Sequence, residues 1–318
     1  MIEAIGLTKR YGEATAVDGL SFTAPAGQVT GFLGPNGAGK STTMRLILGL
    51  DKATSGTVTV NGRSYTGLRR PLTEVGALLE AKAVHPGRSA YNHLKALALS
   101  NGIPVARVGR VLETVGLGGV AGKRAGSFSL GMGQRLGIAA ALLGDPSVLM
   151  LDEPVNGLDP EGVVWIRNLL KSLAADGRTV FLSSHLMSEI ELTVDRLVII
   201  GRGRLIAEMP IGELLVGGSG NYIRVRTPQA DGLAEALRGL GAQATAEEAE
   251  VLRVTGVSTD EVGRVAQANG VTLLELSSHR TTLEERYMEL TGSFSEFHTD
   301  AGAEEALVPS HGVVKGRA

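Results

Sequence analysis

The chain has 318 residues, of which 43% are hydrophobic, and a formal net charge of −2. That length suits about two domains with a sizeable core, and the near-neutral balance offers no chain-wide basic field for nucleic acid. With no cysteine, disulfides and thiolate metal sites are excluded, and the six histidines form no HxxxH-type pair that would hold a metal by protein ligands alone.

No uninterrupted apolar window reaches the roughly 18 residues that a bilayer span needs. The opening stretch, MIEAIGLTKRYGEATAV, has an early glutamate and no apolar h-region, which argues against a secretion signal. The expectation is a soluble, cytoplasmic chain that can dock on a membrane protein.

In chain order, strand and helix patterns alternate up to about residue 210. QVTGFLG (28–34) is a short apolar run closed by glycine and reads as a buried strand. Positions 40–50 read as a helix, and TSGTVTVNGRSY (54–65) alternates like a hairpin. Residues 86–145 hold several helical patterns and few strand signals, so they are taken as an inserted helical subdomain. SVLMLDEP (147–154) and TVFLSSH (179–185) are apolar runs ending in polar groups. Between them GVVWIRNLLKSLAADG reads as a crossover helix with glycine after its end. Strands of this kind are buried on both faces, which predicts a largely parallel sheet.

Composition changes at GGSG (217–220), read as a linker. The segments after it predict the order β-α-β-α-β-α, a small α+β unit of ferredoxin-like type. These patterns give an α/β fold class over 1–216 with an accessory α+β domain over 221–291, and the motifs that follow make the first a phosphate-loop nucleotidase domain. The polar tail, 292–318, reads as disordered.

GPNGAGKS (34–41) follows a strand and opens a helix, the context a phosphate loop requires. Its glycines let successive backbone N–H groups converge on anionic oxygens, and the helix N-terminus adds partial positive charge. Asn36, Gly37, Ala38 and Gly39 form the cradle. Lys40 reaches the β- and γ-phosphates, Ser41 offers a hydroxyl to Mg²⁺, and Thr42 is a further phosphate contact.

LMLDEP (150–154 with its preceding leucine) delivers Asp152 and Glu153 at a strand's C-terminal end, where α/β sheets bind ligands. Asp152 is expected to hold Mg²⁺ through water, and Glu153 to orient and deprotonate the attacking water.

SFSLGMGQRLGIAAALLGDP (127–146) precedes the acidic strand. Ser129 can cap a helix there, and Gly131 gives close backbone access to a charged ligand. This stretch resembles the signature segment of ATP-binding cassette (ABC) proteins. VNGLDP (155–160) looks like their D-loop, SSH (183–185) like their switch histidine, and Tyr11 in TKRYGEATAVDGLSF like the aromatic that stacks on adenine. The resemblance covers about residues 3–210.

The resemblance implies two cassettes paired head to tail around two ATP molecules. Ser129 and Gly131 would then act in trans on the γ-phosphate held by the other cassette. His185 would hydrogen-bond the γ-phosphate, and Asp159 would link the two sites. The chain departs from the family at two places. Leu130 and Met132 stand where the usual LSGGQ has its first glycine and its glutamine. Glu80 stands where a glutamine usually touches Mg²⁺ and water; a carboxylate can still ligate the ion.

LLEAKAVHPGRSA, FSLGMGQR and the small C-terminal domain together resemble the cassette subunits of bacterial ABC-2 multidrug and antibiotic exporters. That implies an ATPase on the cytoplasmic face of the membrane. It would work with a separate permease and a second cassette, most simply a copy of itself. An importer cassette and a soluble ABC ATPase acting on ribosome or DNA are the alternatives. Importer subunits often carry a β-rich regulatory domain, and the soluble branches carry two cassettes or a coiled-coil insertion.

Overall fold

Five short strands of nearly unbroken apolar sequence cannot leave either face in water, and they form the centre of the molecule. The computed structural model describes residues 1–80, 84–184, 186–216, 220–279 and 281–292.

The chain begins with β1 (Ile2–Tyr11) and β2 (Ala14–Ala24), joined by a tight turn at Gly12. There follow β3 (Val29–Leu33), α1 (Lys40–Ile47), β4 (Ser55–Val60), α2 (Pro71–Glu74) and β5 (Val75–Leu78). The helical part holds α3 (Ala90–Ser100), α4 (Ala106–Thr114) and α5 (Leu130–Leu142). Next come β6 (Val148–Asp152), α6 (Pro160–Ala175), β7 (Thr179–Ser183), α7 (Met187–Thr193), β8 (Arg196–Gly201), β9 (Arg204–Pro210) and α8 (Ile211–Val216).

The main sheet has the order β5-β6-β7-β3-β8-β9. Its first five strands run parallel and β9 returns antiparallel to β8. Every residue of β3 and β7 is buried, as strands covered on both faces require. A second, antiparallel sheet, β2-β1-β4, lies over one face. Phe22 of β2 stacks on Phe32 of β3 and on Phe181 of β7, with centroids 5.5 and 5.6 Å apart. Such aromatic pairs add about 0.5–1.5 kcal/mol each beyond their buried area.

The hairpin expected over 54–65 forms only at its turn: Val60 and Arg63 bridge antiparallel across Asn61 and Gly62, exchanging backbone hydrogen bonds of 2.7 and 3.0 Å. The return strand does not continue, and β4 pairs along its length with β1 instead, with Ile2 opposite Val60. Alternation marks a half-buried strand but does not say which edge it will join. The helical subdomain expected over 86–145 corresponds to α3, α4 and α5, and α5 lies on β5. A Cβ at Gly76 would sit 2.0 Å from the Ala141 carbonyl, so glycine sets this close approach.

The C-terminal unit contains β10 (Tyr222–Arg226), α9 (Ala230–Arg238), β11 (Gln243–Glu248), β12 (Val251–Thr255), α10 (Thr259–Ala268) and β13 (Glu275–His279). The expected order lacks one of these strands. β11, QATAEE, is polar and largely exposed, and it forms the edge of an antiparallel sheet ordered β11-β12-β10-β13. Its inner face packs on α9 and α10 through Val225, Leu233, Leu237 and Val262.

The last helix, α11 (Leu283–Thr291), leaves that sheet and joins the core of the first domain through Leu283 and Tyr287. The Leu283 amide donates to Glu191 Oε2 of α7 at 3.2 Å, and Arg286 Nε donates to the Leu214 carbonyl of α8 at 3.3 Å. Tyr287 is 8% exposed, and burial pushes its hydroxyl up to about 12. We expect Tyr287→Ala to cost about 3 kcal/mol through the cavity it leaves. A lowered midpoint in urea unfolding checks this; an unchanged midpoint would mean that α11 is not docked in solution. Apart from Gly292, which follows α11, the expected tail over 292–318 lies outside the described residues, as do most of the GGSG linker and the His185 position.

Candidate functional site

β3 ends between β7 and β8 in the main sheet, and the chain then has six residues, 34–39, to turn into α1. Gly37 and Gly39 take left-handed conformations, with φ of +80° and +100°. Gly39 is the residue that precedes α1, and a Cβ there would lie 2.4 Å from the Ala16 carbonyl of β2. Asn36, Gly37, Ala38, Gly39, Lys40, Ser41 and Thr42 line one open cleft with Asp152 and Glu153. The loop and the acidic strand end, 111 residues apart at Ser41 and Asp152, are thus brought together as expected.

Lys40 folds back over the loop, and its Nζ donates to the Gly34 carbonyl at 2.6 Å and the Pro35 carbonyl at 3.1 Å. Burial lowers its pKa, while the Glu153 and Asp152 carboxylates pull it back up. A polyphosphate in the cleft would act in the same direction as those carboxylates.

Asp152 ends β6 and lies between two hydroxyls. Ser41 Oγ donates to its Oδ2 at 3.4 Å, and Ser183 Oγ donates to its Oδ1. A serine hydroxyl and a carboxylate are the donors a hard divalent cation prefers. Among the described residues no group of three His, Cys, Asp or Glu side chains could enclose a metal. A cation here would therefore be completed by phosphate oxygens and water.

Glu153 has φ +51°, a left-handed conformation that costs a residue with a side chain roughly 1–3 kcal/mol. Its N–H donates to the Ser183 carbonyl and to Ser183 Oγ, each at 3.2 Å. Its carbonyl accepts from Gln134 Nε2 at 3.1 Å. Ser183 and Gln134 were not expected as site residues. A serine in the apolar run TVFLS, opposite Asp152 in register, was a signal for the first. For the second, a glutamine on the otherwise apolar face of α5 was one.

Tyr11 ends β1 at 49% exposure. Its hydroxyl donates to Asp51 Oδ2 at 2.9 Å, Arg45 Nε holds the same oxygen at 2.7 Å, and Lys9 Nζ lies 4.7 Å from the ring centre. Arg45 belongs to α1, so the shared Asp51 carboxylate ties Tyr11 to the phosphate-loop helix.

Ser129 caps α5, accepting from the Met132 amide at 3.2 Å. Gly131 has a reason within the chain itself: a Cβ there would lie 2.7 Å from the Gly157 carbonyl. The signature-like segment and the 155–160 loop therefore pack backbone to backbone. Asp159 caps α6 by accepting from the Gly162 amide at 2.9 Å. Trp165 of α6 is partly buried, and the Arg135 guanidinium lies 4.4 Å from its ring centre. Ser129, Gly131 and Asp159 are not among the residues lining the phosphate-loop cleft. Nor is Glu80, which is exposed two positions beyond β5.

A family model described as ABC transporter matches residues 17–156, and one for a domain of unknown function matches residues 221–284. An uncharacterized ABC transporter ATP-binding protein of Bacillus subtilis, YhcH, is 36% identical over 303 residues, 93% of this chain and 97% of its own. The bacitracin transport ATP-binding protein BcrA of Bacillus licheniformis is 44% identical over 217 residues, 67% of this chain and 71% of its own. The Nod factor export ATP-binding protein I of Ralstonia nicotianae is 40% identical over 217 residues, 66% of this chain and 67% of its own. A dimeric bacterial cassette superposes with a TM-score of 0.62 at 25% identity, over 66% of this chain and 99% of that one.

Proposed function

The chain belongs to the ATP-binding proteins of ABC transporters, and from that membership we propose that it drives an exporter for an antibiotic-like cargo. It binds and hydrolyses ATP in the service of transport. The observation that carries the site reading is the meeting of Lys40, Ser41, Asp152 and Glu153 in one cleft. The export direction is favoured by relatives named for bacitracin transport and Nod factor export. No helix among the described residues is long and apolar enough to cross a membrane, so the cargo path is assigned to a separate permease.

In this reading the amides of the 36–39 loop and Lys40 hold the β- and γ-phosphates, and Tyr11 stacks on adenine. Mg²⁺ is held by Ser41 and Asp152, with Glu80 on the metal side, and supplies charge neutralisation to the transferring phosphoryl group. Glu153 takes the proton of the attacking water. Ser129 and Gly131 serve the ATP of a second, identical cassette, Asp159 lies at that interface, and His185 meets the γ-phosphate. ATP binds the closed pair better than the open one, and that difference is what moves the permease.

Tyr11→Ala is expected to weaken ATP binding by about 1–3 kcal/mol, the scale of base–aromatic stacking. Unchanged affinity in a nucleotide titration returns Tyr11 to a packing role. The exporter reading is tested by isolating the tagged chain from detergent-solubilised native membranes. Co-recovery of a polytopic membrane protein at comparable copy number supports it. Recovery with ribosomal or DNA-repair proteins and no membrane partner rejects it.

A further inference from the structure

We propose that Gln134 is a positioning residue for hydrolysis, fixing the backbone of Glu153 from the helix that carries Ser129. The inference rests on the reading of Glu153 as the group that activates water.

Gln134 is 3% exposed in a helix whose other buried residues are Leu, Ile, Ala and Gly. A buried amide is costly unless it is partnered. Its Nε2 donates to the Glu153 carbonyl at 3.1 Å, and the same oxygen accepts from the Asn156 amide at 3.2 Å. On the other side of Glu153, the N–H is held by Ser183 of β7. Both peptide groups flanking the residue are thereby anchored, and its φ of +51° is a conformation that persists only when the surroundings hold it. The direction of the carboxylate follows from that backbone.

Among the described residues three anchors hold the Glu153 backbone, and they differ in origin. Ser183 belongs to the sheet and Asn156 to the local turn. Gln134 alone comes from α5, five positions after the Ser129 cap. α5 therefore carries at its start the residue assigned to the partner cassette's ATP, and farther along the residue that holds its own cassette's carboxylate. A displacement of this helix on docking is passed to Glu153 through one hydrogen bond, so water activation at one ATP responds to engagement of the other.

The test measures ATP turnover and ATP affinity of the full chain co-purified with its membrane partner, for Gln134→Met, Glu153→Gln and the double variant. Q134M keeps length and volume without the donor; Q134L repeats the measurement should Q134M fail to assemble. The expected result is a fall in kcat of about tenfold, the scale of a small misplacement of a catalytic group. ATP affinity stays within about twofold, and no further loss appears in the Glu153→Gln background, because groups acting through one another are not additive. Wild-type kcat in Q134M beside an inactive Glu153→Gln overturns the proposal alone. So does an equal fold-loss in both backgrounds, which would place Gln134's effect elsewhere. Full activity of Glu153→Gln overturns the carboxylate reading and this inference with it.

Discussion

Replacing Glu153 by glutamine lowers ATP turnover by about a hundredfold or more, the scale of losing a positioned general base, with ATP affinity held within about twofold. Glutamine keeps the size of the side chain and can still hydrogen-bond water, but it cannot take a proton at neutral pH. The main-chain bonds to Ser183 and Gln134 do not involve the carboxylate, so the φ of +51° and the loop after β6 should survive the change. The loss then falls on kcat and not on binding, the pattern for an interaction made in the transition state. The variant is also expected to hold ATP in the paired state, because closure depends on binding and reopening on hydrolysis. Steady-state turnover and a nucleotide titration on the same preparation decide the matter. Turnover at the wild-type level would reduce Glu153 to an acidic strand end, and the base would have to be sought elsewhere.

The phosphate loop and the acidic strand end were readable from sequence because each is a local device. Glycines, a lysine and a serine after an apolar strand determine a backbone shape within eight residues, and an apolar run closed by Asp152 and Glu153 fixes where the carboxylates emerge. What escaped depends on partners distant in sequence. β4 looked like half of a hairpin because alternation reports burial of one face, and its true neighbour, β1, lies about 50 residues earlier. β11 is an edge strand with one buried residue, Ala244, so it has almost no hydrophobic period to detect. Gln134 reads as an ordinary polar residue on a helix until α5 is seen against the end of β6. α11 was grouped with the accessory unit by proximity in the chain, yet its apolar side, Leu283 and Tyr287, is buried against the cassette. The packing demand at Gly131 also escaped, because the Gly157 carbonyl that leaves no room for a side chain there is 26 residues away in sequence.

Gly39→Ala is the second large effect, and it separates the shape of the cradle from its charge. The residue has φ +100° and ψ 8°, outside the range alanine occupies without strain of about 1–3 kcal/mol. The added methyl would also begin 2.4 Å from the Ala16 carbonyl, a backbone atom of β2 that cannot swing aside. In the free protein the loop can relax by turning its peptide groups away. Binding ATP must then restore the strained shape, so the strain appears as lost affinity. A loss of about a hundredfold is expected, corresponding to about 2.7 kcal/mol, while Lys40, Ser41 and Asp152 remain chemically intact. Gly270→Ala is the matched control. Its φ is +65°, no atom lies within 4 Å of the new methyl, and it follows α10 in the C-terminal unit, away from the cleft. It should lose some stability and keep its ATP affinity. Calorimetric titration of both variants gives the answer. Equal affinities for Gly39→Ala and the wild type would mean that the amides of this loop do not cradle the phosphates. Equal losses in the two variants would trace the effect to folding and not to the cradle.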